Sequence, residues 1–164
     1  MSDNNQQINS NKKRGRPAEN SSNLNQGSII TQAKALMLTD NKMPSIRKLA
    51  SALSVDAMAI YHYFKNKERL QEAITVSLIE EIYEPQVNDD WQQELALLCH
   101  SYLTLLGRYS GLLDTLLTMQ SQGPANVFIE RFEDVVAPLN LNAENAESAL
   151  HLLVDYLHGF ALAM

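Results

Sequence analysis

The sequence predicts an all-α protein in which three short helices precede a bundle of longer ones. Helix-breaking residues are scarce, with six glycines and five prolines among 164 residues, whereas the strong helix formers Leu, Ala, Glu and Gln are abundant. From Ser28 onward, apolar residues recur at every third or fourth position, which is the period of an amphipathic helix. Both observations favour helices over sheet after residue 25.

Cysteine content and hydropathy indicate a cytoplasmic protein without membrane contact. The single cysteine, Cys99, cannot form an internal disulfide, which is typical of a reducing compartment. No run of the sequence approaches the roughly 18 apolar residues that a membrane span needs. The Asn-, Ser- and Gln-rich start lacks the apolar core of a signal peptide.

Charge divides the chain into two unlike parts. Residues 1–70 contain eleven of the thirteen Lys and Arg residues against five acidic residues, a net charge of +6. Residues 71–164 contain the other two basic residues against fourteen acidic ones, a net charge of −12. This asymmetry indicates that the first part meets a polyanion and the second does not, with solvated surfaces of differing sign as the alternative.

Residues 1–25 are polar and low in complexity, and we expect them to form a disordered basic arm. The arm contains Lys12-Lys13-Arg14-Gly15-Arg16-Pro17, in which Gly and Pro favour an extended backbone. The four residues RGRP match the core of the AT-hook, so Arg14 and Arg16 are predicted to enter an A·T minor groove. The alternative is a solubilising tail attracted loosely to phosphates.

Apolar periodicity and one cap predict the first two helices. The first covers residues 28–40, and its apolar face consists of Ile29, Ala33, Leu36 and Met37. The second follows Ser45, whose hydroxyl is predicted to cap it by accepting from a backbone N–H of the first turn.

A third short helix, Asp56–Phe64, follows the tight turn Leu53-Ser54-Val55, and the Asp56 carboxylate suits its N-terminal dipole. Two short helices joined by such a turn have helix-turn-helix geometry. The third helix is half apolar with a basic rim, which fits a DNA major groove, where thymine methyls favour apolar contacts and phosphates attract hydroxyls and lysines. The start of the second helix is predicted to bind phosphate as well. The candidate DNA-binding residues are Arg14, Arg16, Ser45, Arg47, Ala57, Met58, Ala59, Tyr61, His62, Tyr63, Lys65 and Lys67.

The string RKLASALSVDAMAIYHYFKNKERL resembles the N-terminal domain of the tetracycline-repressor (TetR) family of bacterial transcription regulators. The match consists of an apolar second helix, tyrosines and Phe64 near the end of the third, and Lys65-Asn66-Lys67 before the fourth. The resemblance implies a helix-turn-helix DNA-binding head over residues 26–83. It also implies a helical-bundle regulatory domain for ligand binding and dimerisation over residues 84–164.

Two departures from the family pattern affect the head. Ser54 replaces the usual turn glycine, so a residue with a Cβ must take that bend at a small strain cost. Ala57, Met58 and Ala59 replace positions that often hold Gln, Pro or Thr. Base recognition is therefore expected to depend on methyl contacts and His62 rather than on a bidentate amide.

The apolar pattern of the sequence after residue 66 predicts five further helices. They cover residues 67–83, 91–109, 112–120, 124–136 and 142–164, separated by breaks that include Pro85, Gly111 and Pro138. The resemblance implies that a small apolar or amphipathic effector binds between such helices. The candidate pocket residues are Leu98, Tyr102, Leu106, Leu116, Met119, Phe128 and Phe132, with an ordinary core as the alternative for each.

Two ligand hypotheses are not favoured by the residues. Trp91-Gln92 and Asn145-Ala146 resemble the tetracycline-binding repressors, but the positions that would hold the drug–magnesium complex fall near Leu98 and Leu116, which cannot ligate a metal. On the last helix, Glu147, His151, Asp155 and His158 form one stripe. A polar stripe between two apolar faces is the simpler interpretation, so neither a metal nor a cofactor is expected.

The resulting prediction is a ligand-responsive repressor that binds a palindromic double-stranded DNA operator as a homodimer. A DNA-binding or chromosome-organising protein of the same fold without an effector is the alternative. Enzyme motifs such as a phosphate-binding Gly loop or G-x-S-x-G are missing, so catalysis is not expected. Family members commonly exceed 180 residues, so this chain is either a fragment or forms a different dimer.

Overall fold

The computed structural model describes residues 24–86 and 90–164, and all regular structure within them is helical. The all-α prediction is therefore confirmed for these residues, whereas the predicted arm, with Arg14 and Arg16, lies outside them. The helices are α1 (Gln26–Asp40), α2 (Ile46–Ala52), α3 (Ala57–Tyr61), α4 (Lys67–Ile79), α5 (Trp91–Arg108), α6 (Leu112–Thr118), α7 (Gly123–Val136) and α8 (Ala143–Ala163), with a 3₁₀ turn at Ala137–Leu139.

Side-chain caps set the starts of most helices. Ser45 accepts a hydrogen bond from the Lys48 N–H at 3.2 Å, and Asp56 accepts from the Met58 N–H at 2.7 Å, as the sequence predicted. Asn25 caps α1 in a reciprocal pair with Ser28, so this helix begins two residues before the predicted start.

Helices α3 and α4 end at least three residues earlier than predicted, because the chain turns to satisfy tertiary contacts. After Tyr61 the N–H groups of Tyr63 and Phe64 both donate to the Ile60 carbonyl, at 3.0 and 3.1 Å, which brings Phe64 into the core. Helix α4 ends at Ile79 rather than at residue 83. The Arg131 guanidinium binds the carbonyls of Glu80 and Ile82 just beyond it, at 3.0 and 2.7 Å.

The turn between α2 and α3 contains a residue in a glycine-like conformation. Ser54 adopts φ 55°, in the left-handed region, as expected where the family usually has glycine. Its N–H donates to the Ser51 carbonyl, and Val55 returns to the Ala50 carbonyl at 3.0 Å. These bonds hold the bend despite a strain of about 1 kcal/mol.

Helix α4 connects the first three helices to the rest of the molecule. It packs against α1 on one side and against α5 and α7 on the other. Its buried face contains Leu70, Ile74 and Leu78, which recur at four-residue intervals. Helix α5 in turn packs against α4, α7 and α8. Among the described residues, no helix is long and apolar enough to cross a membrane.

Candidate nucleic-acid interface and effector cavity

The outer face of α3 is exposed while its inner face is anchored in the core. Ile60 is 0% exposed and Phe64 is buried, whereas Met58 is 64% exposed and both Tyr61 and His62 lie at the surface. Ala57 and Ala59 are half-buried between these faces. The segment therefore presents a short apolar edge with a histidine to the outside.

A shallow cavity of about 490 Å³ lies beside this edge, where the starts of α2, α3 and α4 meet. It brings together five residues that the sequence predicted to contact DNA, namely Ser45, Arg47, Ala57, Tyr61 and Lys67. Met43, Pro44, Ile46 and Gln71 complete its lining, which contains no acidic residue. We call this cavity the cradle.

The chemistry of the cradle suits an anionic oxygen. Arg47 and Lys67 supply two positive charges, and Tyr61 supplies a hydroxyl. The Ser45 oxygen accepts the Lys48 N–H, which leaves the Ser45 hydroxyl hydrogen available as a donor. Gln71 was missed by the sequence reasoning, although its position four residues after Lys67 places both on the same face of α4.

Tyr63 has a different role from the predicted phosphate contact. Its hydroxyl donates to the Leu24 carbonyl at 2.7 Å, and its own carbonyl accepts from the Gln26 side-chain amide at 3.1 Å. Tyr63 thus holds the start of α1 against the end of α3. The prediction that this hydroxyl donates to phosphate is corrected accordingly. Lys65 and Lys67 are exposed, as a phosphate contact requires.

A second cavity, of about 410 Å³, lies between α4, α7 and α8 with contributions from α5 and α6. Three of the seven predicted pocket residues line it: Tyr102, Leu116 and Phe128. Leu98 and Phe132 are buried core residues that do not line it, and Leu106 is buried and lines a different cavity between α5, α6 and the end of α8. Met119 lines a separate cleft with Glu68 and Gln71. The remaining lining residues are Ile79, Gln122, Pro124, Ala125, Ile129, Leu150, His151, Val154, Asp155 and His158.

The polar side of this cavity comes from α8 and was not assigned to the pocket by the sequence. His151, Asp155 and His158 recur at helical spacing and face the cavity. The His158 Nε2 lies 2.8 Å from the Tyr102 hydroxyl. In the described part of the chain, no three His, Cys, Asp or Glu side chains converge on a position for a metal ion. His151, Asp155 and His158 line the cavity as part of its wall.

Burial sets the protonation of the Tyr102–His158 pair. Burial lowers the pKa of His158, and the nearby Asp155 carboxylate acts in the opposite direction. Burial also raises the pKa of Tyr102 well above its usual value. Both side chains are therefore neutral near pH 7 and share one hydrogen bond.

Comparison with known protein families gives one match over the cradle region and one over the region of the second cavity. The family model for "Bacterial regulatory proteins, tetR family" matches residues 44–74, and the model for "Tetracyclin repressor-like, C-terminal domain" matches residues 84–164. No sequence among the curated proteins matches the chain.

Solved structures share the fold of this chain over most of its length. ActR from Streptomyces coelicolor, in complex with actinorhodin, is 19% identical with a TM-score of 0.76, over 87% of this chain and 68% of ActR. A TetR variant from Acinetobacter baumannii AYE, in complex with minocycline, is 25% identical with a TM-score of 0.71, over 85% of this chain and 81% of its own. BioQ with its double-stranded DNA operator is 17% identical with a TM-score of 0.71, over 85% of each chain. The two family matches, one on the helix-turn-helix and one on the helical body, show that this chain belongs to the TetR family of bacterial transcriptional regulators.

Proposed function

We propose that this protein is a cytoplasmic, ligand-responsive repressor that binds a palindromic operator as a homodimer, with no catalytic step and no cofactor. The observation that carries the proposal is the cradle beside the exposed edge of α3. Two cations and two hydroxyls there accompany an apolar helix edge, which is the combination that a phosphate backbone flanking a major groove requires.

Within the groove, the roles divide by chemistry. Met58 and the two flanking alanines, Ala57 and Ala59, contact thymine methyls, and His62 hydrogen-bonds a base edge. Arg47, Lys67 and the hydroxyls of the cradle bind phosphates and orient α3, with Lys65 on the flanking backbone.

Dimerisation is proposed on α8, which carries an exposed apolar stripe on the side away from the cavity. Leu152 and Tyr156 are 74% and 67% exposed, and Phe160 follows at the same spacing. Contiguous exposed apolar residues of this kind mark an interface. A two-fold dimer places its two heads on half-sites about one helical turn apart, which accounts for a palindromic operator.

Helix α4 is proposed to couple the two sites, because its ends lie in both. Lys67, its first residue, lines the cradle, and Ile79, its last, lines the second cavity about 20 Å away at 1.5 Å per residue. The end near Ile79 is held from both sides. Lys34 on α1 binds the Ser77 carbonyl and Glu81, and Arg131 on α7 binds the carbonyls beyond the helix.

A ligand that displaces Ile79 therefore moves α4 and the head together. Suppose that the ligand fits only the conformation in which the two heads are wrongly spaced for the operator. By linkage, bound ligand then lowers the affinity for DNA by the same factor by which bound DNA lowers the affinity for the ligand. Typical couplings correspond to about 5- to 150-fold.

The decisive experiment is selection of duplexes from a random library by the purified protein. We expect an inverted repeat. Repeating the selection with Met58→Ala and His62→Ala is expected to change the preferred bases within each half-site. A uniform loss of affinity across sequences would contradict base reading by α3. A thermal-shift screen that finds no stabilising ligand would favour an effector-independent regulator.

The basic arm is proposed to bind the minor groove through Arg14 and Arg16. Deleting residues 1–17 is expected to reduce affinity most at low salt and on operators with A·T flanks, because inserted arginines prefer the narrow A·T groove. Measuring the dissociation constants on matched A·T- and G·C-flanked duplexes tests this. Equal losses on both would support the solubilising tail instead.

A further inference from the structure

The charge and shape of the second cavity, between α4, α7 and α8, indicate the class of molecule that it binds. Among the described residues, no lysine or arginine lines it, and Asp155 supplies the carboxylate of its lining. His151 and His158 also face it, together with the Tyr102 hydroxyl and the Gln122 amide. The cavity therefore offers a negative charge and hydrogen-bonding groups, with no cation to neutralise a bound acid.

Two aromatic rings also line the cavity. The centroids of Tyr102 and Phe128 lie 4.9 Å apart with planes tilted by 50°. A positively charged group near such rings is stabilised by their quadrupoles, and the more so where water is displaced. Ile129 and Leu116 continue the apolar surface.

We propose that the cavity binds a flat aromatic cation, with its positive group against Asp155 and its ring system against Tyr102 and Phe128. The inference rests on the proposed function in that it takes this cavity as the effector site. The volume of about 410 Å³ lies near the lower end of the usual range for ligand sites, which suits a molecule of two to three fused rings.

Electrostatics disfavours the corresponding anion. A carboxylate placed in the cavity would meet Asp155 at close range, and residues 71–164 together carry a net charge of −12. Because burial keeps His158 neutral, the imidazole does not offset this charge near pH 7. Since Asp155 is exposed, solvent screens the interaction, and the discrimination between cation and anion is expected to be about tenfold rather than larger.

The experiment uses three probes with one tricyclic skeleton: 9-aminoacridine as the cation, acridine as the neutral molecule and acridine-9-carboxylate as the anion. Each is titrated calorimetrically at pH 8 into the full chain without DNA. We expect the cation to bind about tenfold more tightly than the anion, with acridine between them. Equal or tighter binding of the anion, or binding of none of the three, would overturn the proposal.

Two variants locate the preference. Asp155→Asn is expected to reduce the cation-to-anion ratio to about threefold or less, because the carboxylate that distinguishes the probes is removed. The control is Asp134→Asn, which removes the same charge from an exposed position of α7 outside the cavity lining and is expected to leave the ratio unchanged. An equal effect of the two variants would show that the net charge of the protein, rather than the site, sets the preference.

Operator binding is measured separately on the same preparations by fluorescence anisotropy. Loss of all specific DNA binding with the cation preference intact would contradict the proposed repressor and leave the ligand class standing. Specific operator binding without any preference for the cation would contradict only the ligand class.

Discussion

Tyr61 and Tyr63 carry the same hydroxyl two positions apart, and the structure gives them different surroundings. Tyr61 is exposed and lines the cradle beside Arg47. Tyr63 is half-buried and donates to the Leu24 carbonyl. The first is positioned for an external acceptor, whereas the second closes a contact within the head.

These surroundings predict opposite phenotypes. Tyr61→Phe is expected to weaken operator binding about tenfold, the loss of one hydrogen bond to a charged phosphate, with little change in stability. Tyr63→Phe is expected to lower the free energy of unfolding by about 1 kcal/mol, because the Leu24 carbonyl loses its donor. Fluorescence anisotropy and urea denaturation of both variants test this. The reverse pattern would contradict the assignment.

His158 predicts a pH dependence of stability. Its folded pKa lies below the unfolded value of 6.5, because burial disfavours the imidazolium more than the Asp155 carboxylate favours it. The unfolded chain therefore binds more protons as the pH falls through 6.5. The contribution of His158 is fully present above about pH 6.5 and decreases as the pH falls towards its folded pKa.

We expect His158→Gln to lose less stability between pH 7 and pH 5 than the unmodified protein does, as measured by urea denaturation at each pH. His100→Gln, at an exposed position of α5, serves as the control and is expected to retain the full pH dependence. Identical slopes for all three proteins would show that the buried imidazole does not resist protonation.

At the scale of elements, the DNA-binding head (residues 26–83) and the regulatory domain (residues 84–164) make a second contact that does not involve α4. Gly111, between α5 and α6, lies against the turn that follows α1. An added Cβ would lie 2.5 Å from the Lys42 Cα and 2.7 Å from the Asn41 carbonyl oxygen. The Ser110 hydroxyl donates to the Asn41 side chain in the same place, at 3.2 Å. Because both obstructing atoms are backbone, a larger residue requires the turn to move.

Gly111→Ala is therefore expected to destabilise the protein by about 1–3 kcal/mol through overpacking. Gly107→Ala is the control, because its Cβ would meet nothing nearer than 3.8 Å and α5 is helical there. It is expected to increase stability by up to about 1 kcal/mol. Urea denaturation compares the two. A neutral Gly111→Ala would mean that the head and the regulatory domain separate at this contact without cost.

At the scale of the whole molecule, two faces of α8 are proposed to have different functions. One face, with His151, Asp155 and His158, forms the cavity wall, and the other carries Leu152 and Tyr156 at the surface. If the second face forms the dimer, the effector binds directly beneath the interface that sets the spacing of the heads.

The double variant Leu152→Glu, Tyr156→Glu is expected to be monomeric by analytical ultracentrifugation, because two buried, unpaired carboxylates per subunit would face each other. Its operator affinity is expected to fall at least a hundredfold, since one head alone contacts one half-site. Leu139→Glu adds a charge at another exposed leucine and is expected to leave both properties unchanged. A double variant that remains dimeric would place the interface elsewhere.

What the sequence determined by itself was local. The caps at Ser45 and Asp56, the bend at Ser54 and the apolar face of α1 depend on residues within one or two turns of each other, so their spacing sufficed to predict them. The separation of charge between the two parts of the chain likewise required no coordinates.

Only the tertiary structure decided which faces meet. The sequence offered Leu98 and Phe132 as pocket candidates but could not distinguish core from cavity. It also grouped His151, Asp155 and His158 on α8 without showing that Tyr102 contacts His158. The Tyr63–Leu24 bond joins residues 39 positions apart, and the Tyr102–His158 bond joins residues 56 apart. Such contacts depend on how the helices pack together, and that packing is a property of the whole chain rather than of any segment.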